Sequence, residues 1–294
     1  MAPYAIIEAP STLGLWPSGV QDAPRVLLET GLGIGLGIKE TLRLEPPPYD
    51  PRRDAETHLL NPSGLLAYSQ TLARAAWNML EDRYAPILLG GDCSILLGPA
   101  LALRERGRYG LLFVDGHMDY WDARLEPHGE AASMDLALVT GNGPALLCDI
   151  DGLGPYFRPG DCCAYGARDH LYDKDFIETP YPGKIERIDV EAAHALGARG
   201  IEKALARVAK DGLAGFWIHL DVDVLADEVM PAVDYRMKDG LSYDELARLL
   251  GAALATGKAM GMTLTIYNPN LDPQRSAARG LVAALLKVLK VSWP

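Results

Sequence analysis

The chain has 294 residues, 49% of them apolar and 23% charged, with no low-complexity tract, which is enough apolar material for one large packed core spanning 1–294. Its 39 acidic residues against 28 basic ones leave a net charge of −11 with lysine and arginine scattered, which argues against a nucleic-acid surface and for a small-molecule partner. No stretch is long and apolar enough to span a membrane, Met1-Ala2-Pro3-Tyr4 lacks a basic region followed by an apolar one, and Cys93, Cys148, Cys162 and Cys163 show no disulfide-scaffold spacing, so a cytoplasmic location is expected.

Tyr4 to Ile7 reads as a first strand, followed by a Gly- and Pro-rich loop, Pro10 to Pro24, and a short helix from about Arg25. Residues 45–62, with Pro46-Pro47-Pro48, read as an irregular excursion, and Pro62 to Asp82 carries apolar residues at helical spacing. Ala85 to Leu89 is a strand that stops at Gly90-Gly91-Asp92-Cys93-Ser94, where paired glycines allow a sharp turn and Ser94 is placed to cap a helix. Leu111 to Val114 is a buried strand running into Asp115-Gly116-His117-Met118-Asp119. Residues 133–141 read as a helix, Asp161 to Arg168 as a strand ending in Arg168-Asp169-His170, and Ile201 to Lys210 as a helix.

The pattern then repeats. Gly215 to Leu220 is a second buried strand ending in acids, Asp221-Val222-Asp223. Ser242-Tyr243-Asp244-Glu245 is a capping box opening a helix that ends at Gly257. Met262 to Ile266 is a last strand leading into Asn268-Pro269, and Arg275 to Leu289 a last helix. Strands separated by helices imply a parallel sheet covered on both faces, with ligands beyond the carboxyl ends of the strands, where all the acidic motifs fall.

Alternation along an extended chain sets Asp115, His117 and Asp119 on one side. Four carboxylates at neighbouring strand ends, Asp115, Asp119, Asp221 and Asp223, cannot all stay ionised in a partly desolvated site, because each raises the pKa of the others. A pair of divalent cations removes the conflict. His219 precedes Asp221 by two residues and shares its face; a satisfied core histidine is the plainer reading.

Taken in order, these motifs resemble the arginase or ureohydrolase superfamily. Gly19-Val20 with Ala23-Pro24 and Leu27 resembles its amino-terminal loop, Gly90-Gly91-Asp92-Cys93-Ser94 its GGDHS, Asp115 to Asp119 its DAHxD, Asp221-Val222-Asp223 its DVD, and Asn268-Pro269 the NP after its last catalytic strand. The resemblance implies a three-layer α/β/α sandwich around a mostly parallel sheet and two divalent ions, ordinarily manganese, about one hydroxide that attacks a guanidino or amidine-like carbon. It implies that Asp115 and Asp221 bridge the ions, that His117 and Asp223 hold one and Cys93 and Asp119 the other, and that Asp119 also orients the hydroxide. It further implies a small-molecule substrate and a homo-oligomer.

Three departures bear on metal and substrate. Cys93 stands where the family has histidine, and a thiolate would open the site to zinc, iron or cobalt. Ile266 stands where arginases and agmatinases place a glutamate that pairs with the guanidinium. The loop Ala123 to Ser133 lacks the family's SGNxHG, and His128 and Glu130 within it are the candidate proton shuttle or substrate contacts. Asp169, in the strand-ending Arg168-Asp169, and Asp234, in the loop after Asp223, are candidate substrate contacts. The first expectation is a hydrolase of non-peptide C–N bonds in a guanidino, hydroxyguanidino or amidine-like compound. The alternatives are a single-metal deacetylase-like amidohydrolase and a catalytically weakened protein with a sensing or structural role.

Overall fold

The computed structural model describes residues 3–172 and 184–292, so Met1 and Ala2 of the amino terminus lie outside the described residues. Eight strands form one sheet in the order β2-β1-β3-β8-β7-β4-β5-β6, every pair parallel: β1 Tyr4–Ala9, β2 Glu40–Arg43, β3 Ala85–Gly90, β4 Gly110–Val114, β5 Cys162–Tyr165, β6 Glu186–Ile188, β7 Phe216–Asp221 and β8 Ala259–Thr265. Alternate strand residues feed two separate cores. Ile6, Ile87, Leu112, Val114, Ile218 and Leu220 pack under the helices Tyr243–Ala255 and Ser276–Ser292, and Ile7, Leu88, Leu111, Phe113 and Trp217 pack under Pro62–Glu81, Leu97–Arg104 and Asp135–Val139. The result is the three-layer α/β/α sandwich read from the sequence.

The capping box at Ser242 is present, with Glu245 N–H donating to the Ser242 hydroxyl and Ser242 N–H to the Glu245 carboxylate. Two edge strands escaped the sequence reading. β2 is exposed throughout and carries no alternation, and β6 has only three residues; both are held by pairing to a neighbour rather than by a pattern of their own. The strand expected to reach Arg168 stops at Tyr165. Strands β3, β8, β7 and β4 are contiguous at the middle of the sheet, and this order gathers motifs that are far apart in the chain.

Candidate metal centre

The carboxyl ends of the four central strands deliver Cys93 just past β3, Asp115 just past β4, Asp221 at the end of β7 and Ile266 just past β8. The two acidic motifs turn by the same local device. His117 N–H donates to Asp115 Oδ1 at 2.6 Å, and Asp223 N–H donates to Asp221 Oδ1 at 2.8 Å, so each first aspartate closes a turn that swings the residue two places on back toward it. Residues 115–119 are therefore not extended, and Asp119 has a left-handed backbone with φ of 45°. The expectation that strand alternation aligns Asp115, His117 and Asp119 is corrected here. They converge because the loop curls, tied by Gly116 N–H to Asp223 Oδ1 (2.9 Å), Met118 N–H to Asp169 Oδ2 (3.0 Å) and Arg168 N–H to the Gly116 carbonyl (2.7 Å). A Cβ at Gly116 would stand 2.7 Å from the Arg168 guanidinium and 2.8 Å from Asp223 Oδ1, so no larger residue fits.

Two overlapping triads result. Cys93, Asp115 and Asp119 each offer a ligand atom within 4.8 Å of the others, as do Asp115, His117 and Asp223, and Asp115 belongs to both. Asp221 joins them through its Oδ2, 2.8 Å from Cys93 Sγ. Without a cation the group is strained electrostatically. Burial and the nearby Asp223 push Asp115 up to about 7, and burial together with the neighbouring acids pushes Asp119 and Asp221 well above the usual carboxylate range. Burial and the facing Asp221, Asp135, Asp115 and Asp119 likewise keep Cys93 a thiol. His117 behaves in the opposite way. Burial opposes its charge, but Asp223, whose Oδ2 lies 2.9 Å from Nδ1, together with Asp115 and Asp119 holds it protonated. Asp223, against its burial, is kept low by His117, Arg168 and the Gly116 N–H. A divalent ion does for all of these what protons do here, and Asp115 Oδ2, buried without any donor, is left open for one. The donor set fits divalent metal.

Above the carboxylates lies a cavity of about 370 Å³ whose floor is Cys93, Asp119, Asp221 and Asp223 and whose walls include Trp121, Glu126, His128, Glu130, Tyr235 and Ile266. Of the residues proposed from the sequence, Glu130 is buried in the wall, its carboxylate accepting from Trp16 N–H (3.1 Å) and the Tyr235 hydroxyl (2.9 Å), with burial raising its pKa. His128 stands exposed in the same wall. Asp169 does not line the cavity; its two oxygens accept from the backbone of Met118 and His170 and so brace the metal loop. Asp234 does not line it either, because Ser18 Oγ and Asn268 Nδ2 hold it at 2.5 and 2.6 Å between two loops, while the next residue, Tyr235, takes the cavity position. Arg168 pairs with no carboxylate: it is wholly buried and donates to the carbonyls of Asp223, Val224, Leu225, Met237 and Lys238, pinning the loop after β7. Ile266 has φ of 70°, a backbone state a β-branched residue rarely takes, held by its N–H to the Gly91 carbonyl at 2.8 Å.

The sequence reading missed Glu126, Tyr235 and Asp135. Asp135 is fully buried at the head of the helix Asp135–Val139, beside His219 and Cys93. The available signal was a lone acid inside the apolar run Ala131 to Val139. His219 is fully buried and, contrary to the plainer reading, only half satisfied: Nδ1 meets Thr263 Oγ1 at 2.7 Å, but Nε2 has no partner.

A family model described as the arginase family matches residues 2–289. The chain belongs to the arginase family. Arginases similar to it include that of Staphylococcus aureus strain COL, 27% identical over 292 residues covering 95% of this chain and 94% of that one, and that of Bacillus caldovelox, 26% identical with 97% of each covered. The solved structure of the Bacillus caldovelox arginase superposes with a TM-score of 0.85 at 25% identity and 98% coverage of both chains. Formimidoylglutamase from Bacillus subtilis gives 0.75 at 19% identity, covering 99% of this chain and 88% of that one, which is a likeness of fold. Cys93 and Ile266, the two residues at which the sequence motifs depart from the family's pattern as read above, line the same cavity.

Proposed function

We propose that this arginase-family chain is a metal-dependent hydrolase of a non-peptide C–N bond in a guanidino, hydroxyguanidino or amidine-like small molecule, a hydroxyguanidine being favoured because it is less basic than an ordinary guanidine and so needs no carboxylate partner at position 266. The observation that carries the reading is one cavity lined by Cys93, His117, Asp119, Asp221 and Asp223, with Asp115 belonging to the ligand clusters of Cys93 and Asp119 and of His117 and Asp223, and with Ile266 in its wall. When bound, two divalent ions supply Lewis acidity and a water acidic enough to react at neutral pH. Asp115 and Asp221 would be shared between the ions, His117 and Asp223 would hold one of them, and Cys93 and Asp119 the other. Asp119 reaches both the metal floor and the open space above it, so its carboxylate can accept a hydrogen from the attacking water and fix its direction. Glu130, braced by Trp16 and Tyr235, presents a carboxyl with a raised pKa on the wall, suited to passing a proton to the departing amine, and exposed His128 can exchange that proton with solvent. Manganese is the family's usual ion; the Cys93 sulfur also suits zinc, iron or cobalt. A homo-oligomer and a cytoplasmic location are part of the same proposal.

The test is urea, hydroxyurea and ammonia release across a panel of guanidino, hydroxyguanidino and formimino compounds, with manganese and zinc supplied in turn. Silence on every compound while metal analysis finds two ions per chain would end this reading. A second reading, a single-metal amidohydrolase of the deacetylase type, draws support from Asp115, His117 and Asp223, which alone make a complete three-ligand site. One tight ion per chain together with turnover of an acetylated amine favours it. Retained folding with no turnover and no effect of Asp119→Asn on ligand binding favours a non-catalytic role.

A further inference from the structure

Below the cavity floor, Asp135 and His219, which have no part in the reaction proposed above, lie against the floor residue Cys93. Cys93, Asp135 and His219 are buried and each offers a ligand atom within 4.8 Å of the others. Neither oxygen of Asp135 meets a donor, and Nε2 of His219 has no hydrogen-bond partner. That nitrogen lies 3.5 Å from Asp135 Oδ2 and 3.9 Å from Asp115 Oδ2, which is itself without a donor. These distances are long for hydrogen bonds. They are close to the separation of two ligands on one tetrahedral ion, roughly 3.3–3.8 Å for metal bonds of about 2.0–2.3 Å.

The sheet register explains how the imidazole comes to point there. Phe113, His219 and Thr263 stand abreast on β4, β7 and β8. The His219 ring stacks on Phe113 with centroids 4.9 Å apart, and its Nδ1 is 2.7 Å from Thr263 Oγ1. In the tautomer in which Nδ1–H donates to that hydroxyl, the Nε2 lone pair is directed at Asp135, the way a ligating histidine is ordinarily braced from behind. A proton shared by the carboxyls of Asp135 and Asp119, which lie against each other, would relieve that pair but would give Nε2 no partner. Burying this many polar atoms without hydrogen-bond partners is unfavourable unless a ligand meets them.

We propose that Cys93, Asp135 and His219, with Asp115 Oδ2 as the fourth donor, form a divalent-metal site one layer below the Cys93–Asp115–Asp119 triad, and that this site takes a zinc-class ion in preference to manganese. One thiolate, one imidazole and two carboxylate oxygens form a borderline-soft, four-coordinate set. Loading the site moves the Cys93 proton to solvent and leaves the triad of Asp115, His117 and Asp223 for a second ion, with Asp115 offering one oxygen to each. The inference goes beyond the hydrolase reading, since the ion can be held whether or not any guanidino compound is turned over.

The experiment is cobalt titration of the full-length, chelator-treated protein as a stand-in for zinc, followed by near-ultraviolet absorbance. A thiolate-to-cobalt charge-transfer band is expected in the wild type. It should vanish in Cys93→Ser, require at least about tenfold more cobalt in His219→Gln and Asp135→Asn, and persist in His117→Asn, where only the other triad is broken. A wild type without the band, or a band that both His219→Gln and Asp135→Asn leave at wild-type affinity, overturns the assignment. Should the buried variants fail to fold by circular dichroism, X-ray absorption of zinc-loaded His117→Asn decides. One sulfur at about 2.3 Å together with an imidazole supports the site, because His219 is then the histidine remaining in the cluster; sulfur without imidazole, or no sulfur, refutes it.

Discussion

Removing metal should make this protein less stable as the pH rises, the opposite of ordinary acid denaturation. Asp115 has its folded pKa pushed up to about 7 from 3.8, burial first and Asp223 second, and burial also raises Asp119, Asp221 and Asp135 well above the usual carboxylate range. A folded state that binds more protons than the unfolded one loses stability as pH climbs from the unfolded value through the folded one. For Asp115 the loss therefore begins near pH 4 and runs to about pH 7, and the other raised acids act in the same direction. His117, with its folded pKa raised by Asp223, Asp115 and Asp119 despite burial, adds stability that also disappears as pH rises. Asp223 runs the other way, but its pKa is depressed, so its contribution is lost only at acid pH below this window. At roughly 1.4 kcal/mol per pH unit, the displacement of Asp115 alone is worth about 4 kcal/mol. In a domain of this size that is a melting-temperature change on the order of 10 °C. The assay is thermal unfolding by circular dichroism at pH 5 and pH 8, with chelator and with saturating zinc or manganese. Chelated protein should melt lower at pH 8, and metal should raise the midpoint far more at pH 8 than at pH 5, because the ligands bind deprotonated. Equal midpoints at both pH values in chelator, or equal stabilisation by metal at both, would refute the account of the buried acids.

Further outcomes follow from individual contacts. Asp119→Asn should keep the fold and lower turnover of any substrate found by about 100-fold or more, measured under saturating metal, since the carboxylate is a candidate both for holding an ion and for orienting the water. Ile266→Glu would return a carboxylate to the cavity wall; turnover of unmodified guanidines should rise relative to hydroxyguanidines by roughly tenfold or more, read as a ratio of kcat/KM values. Arg168→Met strands five carbonyls of the loop after β7 and should cost about 3 kcal/mol or more in urea unfolding, whereas removing the solvent-screened pair Arg124–Asp122 should leave the urea midpoint almost unchanged. Ile266→Asn should be tolerated by the backbone better than Ile266→Val, because φ of 70° costs asparagine less than a β-branched side chain.

The metal-loop residues were legible because two buried strands ending in acids at a spacing of two have few other uses. Asp115, His117, Asp119, Asp221, Asp223 and Cys93 do converge, yet the mechanism of convergence was not the strand alternation read from the pattern. It is a pair of aspartate-closed turns whose hydrogen bonds, to Asp169, Arg168 and Asp223, come from segments far away in sequence. The same remoteness explains Asp169 and Asp234. Each is an acid at a strand end or site loop, as a substrate contact would be, and only the backbone and side-chain donors packed around it decide that it braces a loop instead.

By itself the order of apolar runs, turn residues and acids determined a parallel sheet with helices on both faces, since strand and helix periodicity are local properties of the chain. The strand order β3-β8-β7-β4 belongs to the tertiary structure alone, because it depends on which helices cover which face. That order brings Asp135 from a covering helix and His219 from the middle of a strand beneath Cys93, and sets Ile266 rather than an acid against the cavity. No periodicity encodes such a meeting: the distance between side chains from four separate segments is fixed only when the core between them has packed.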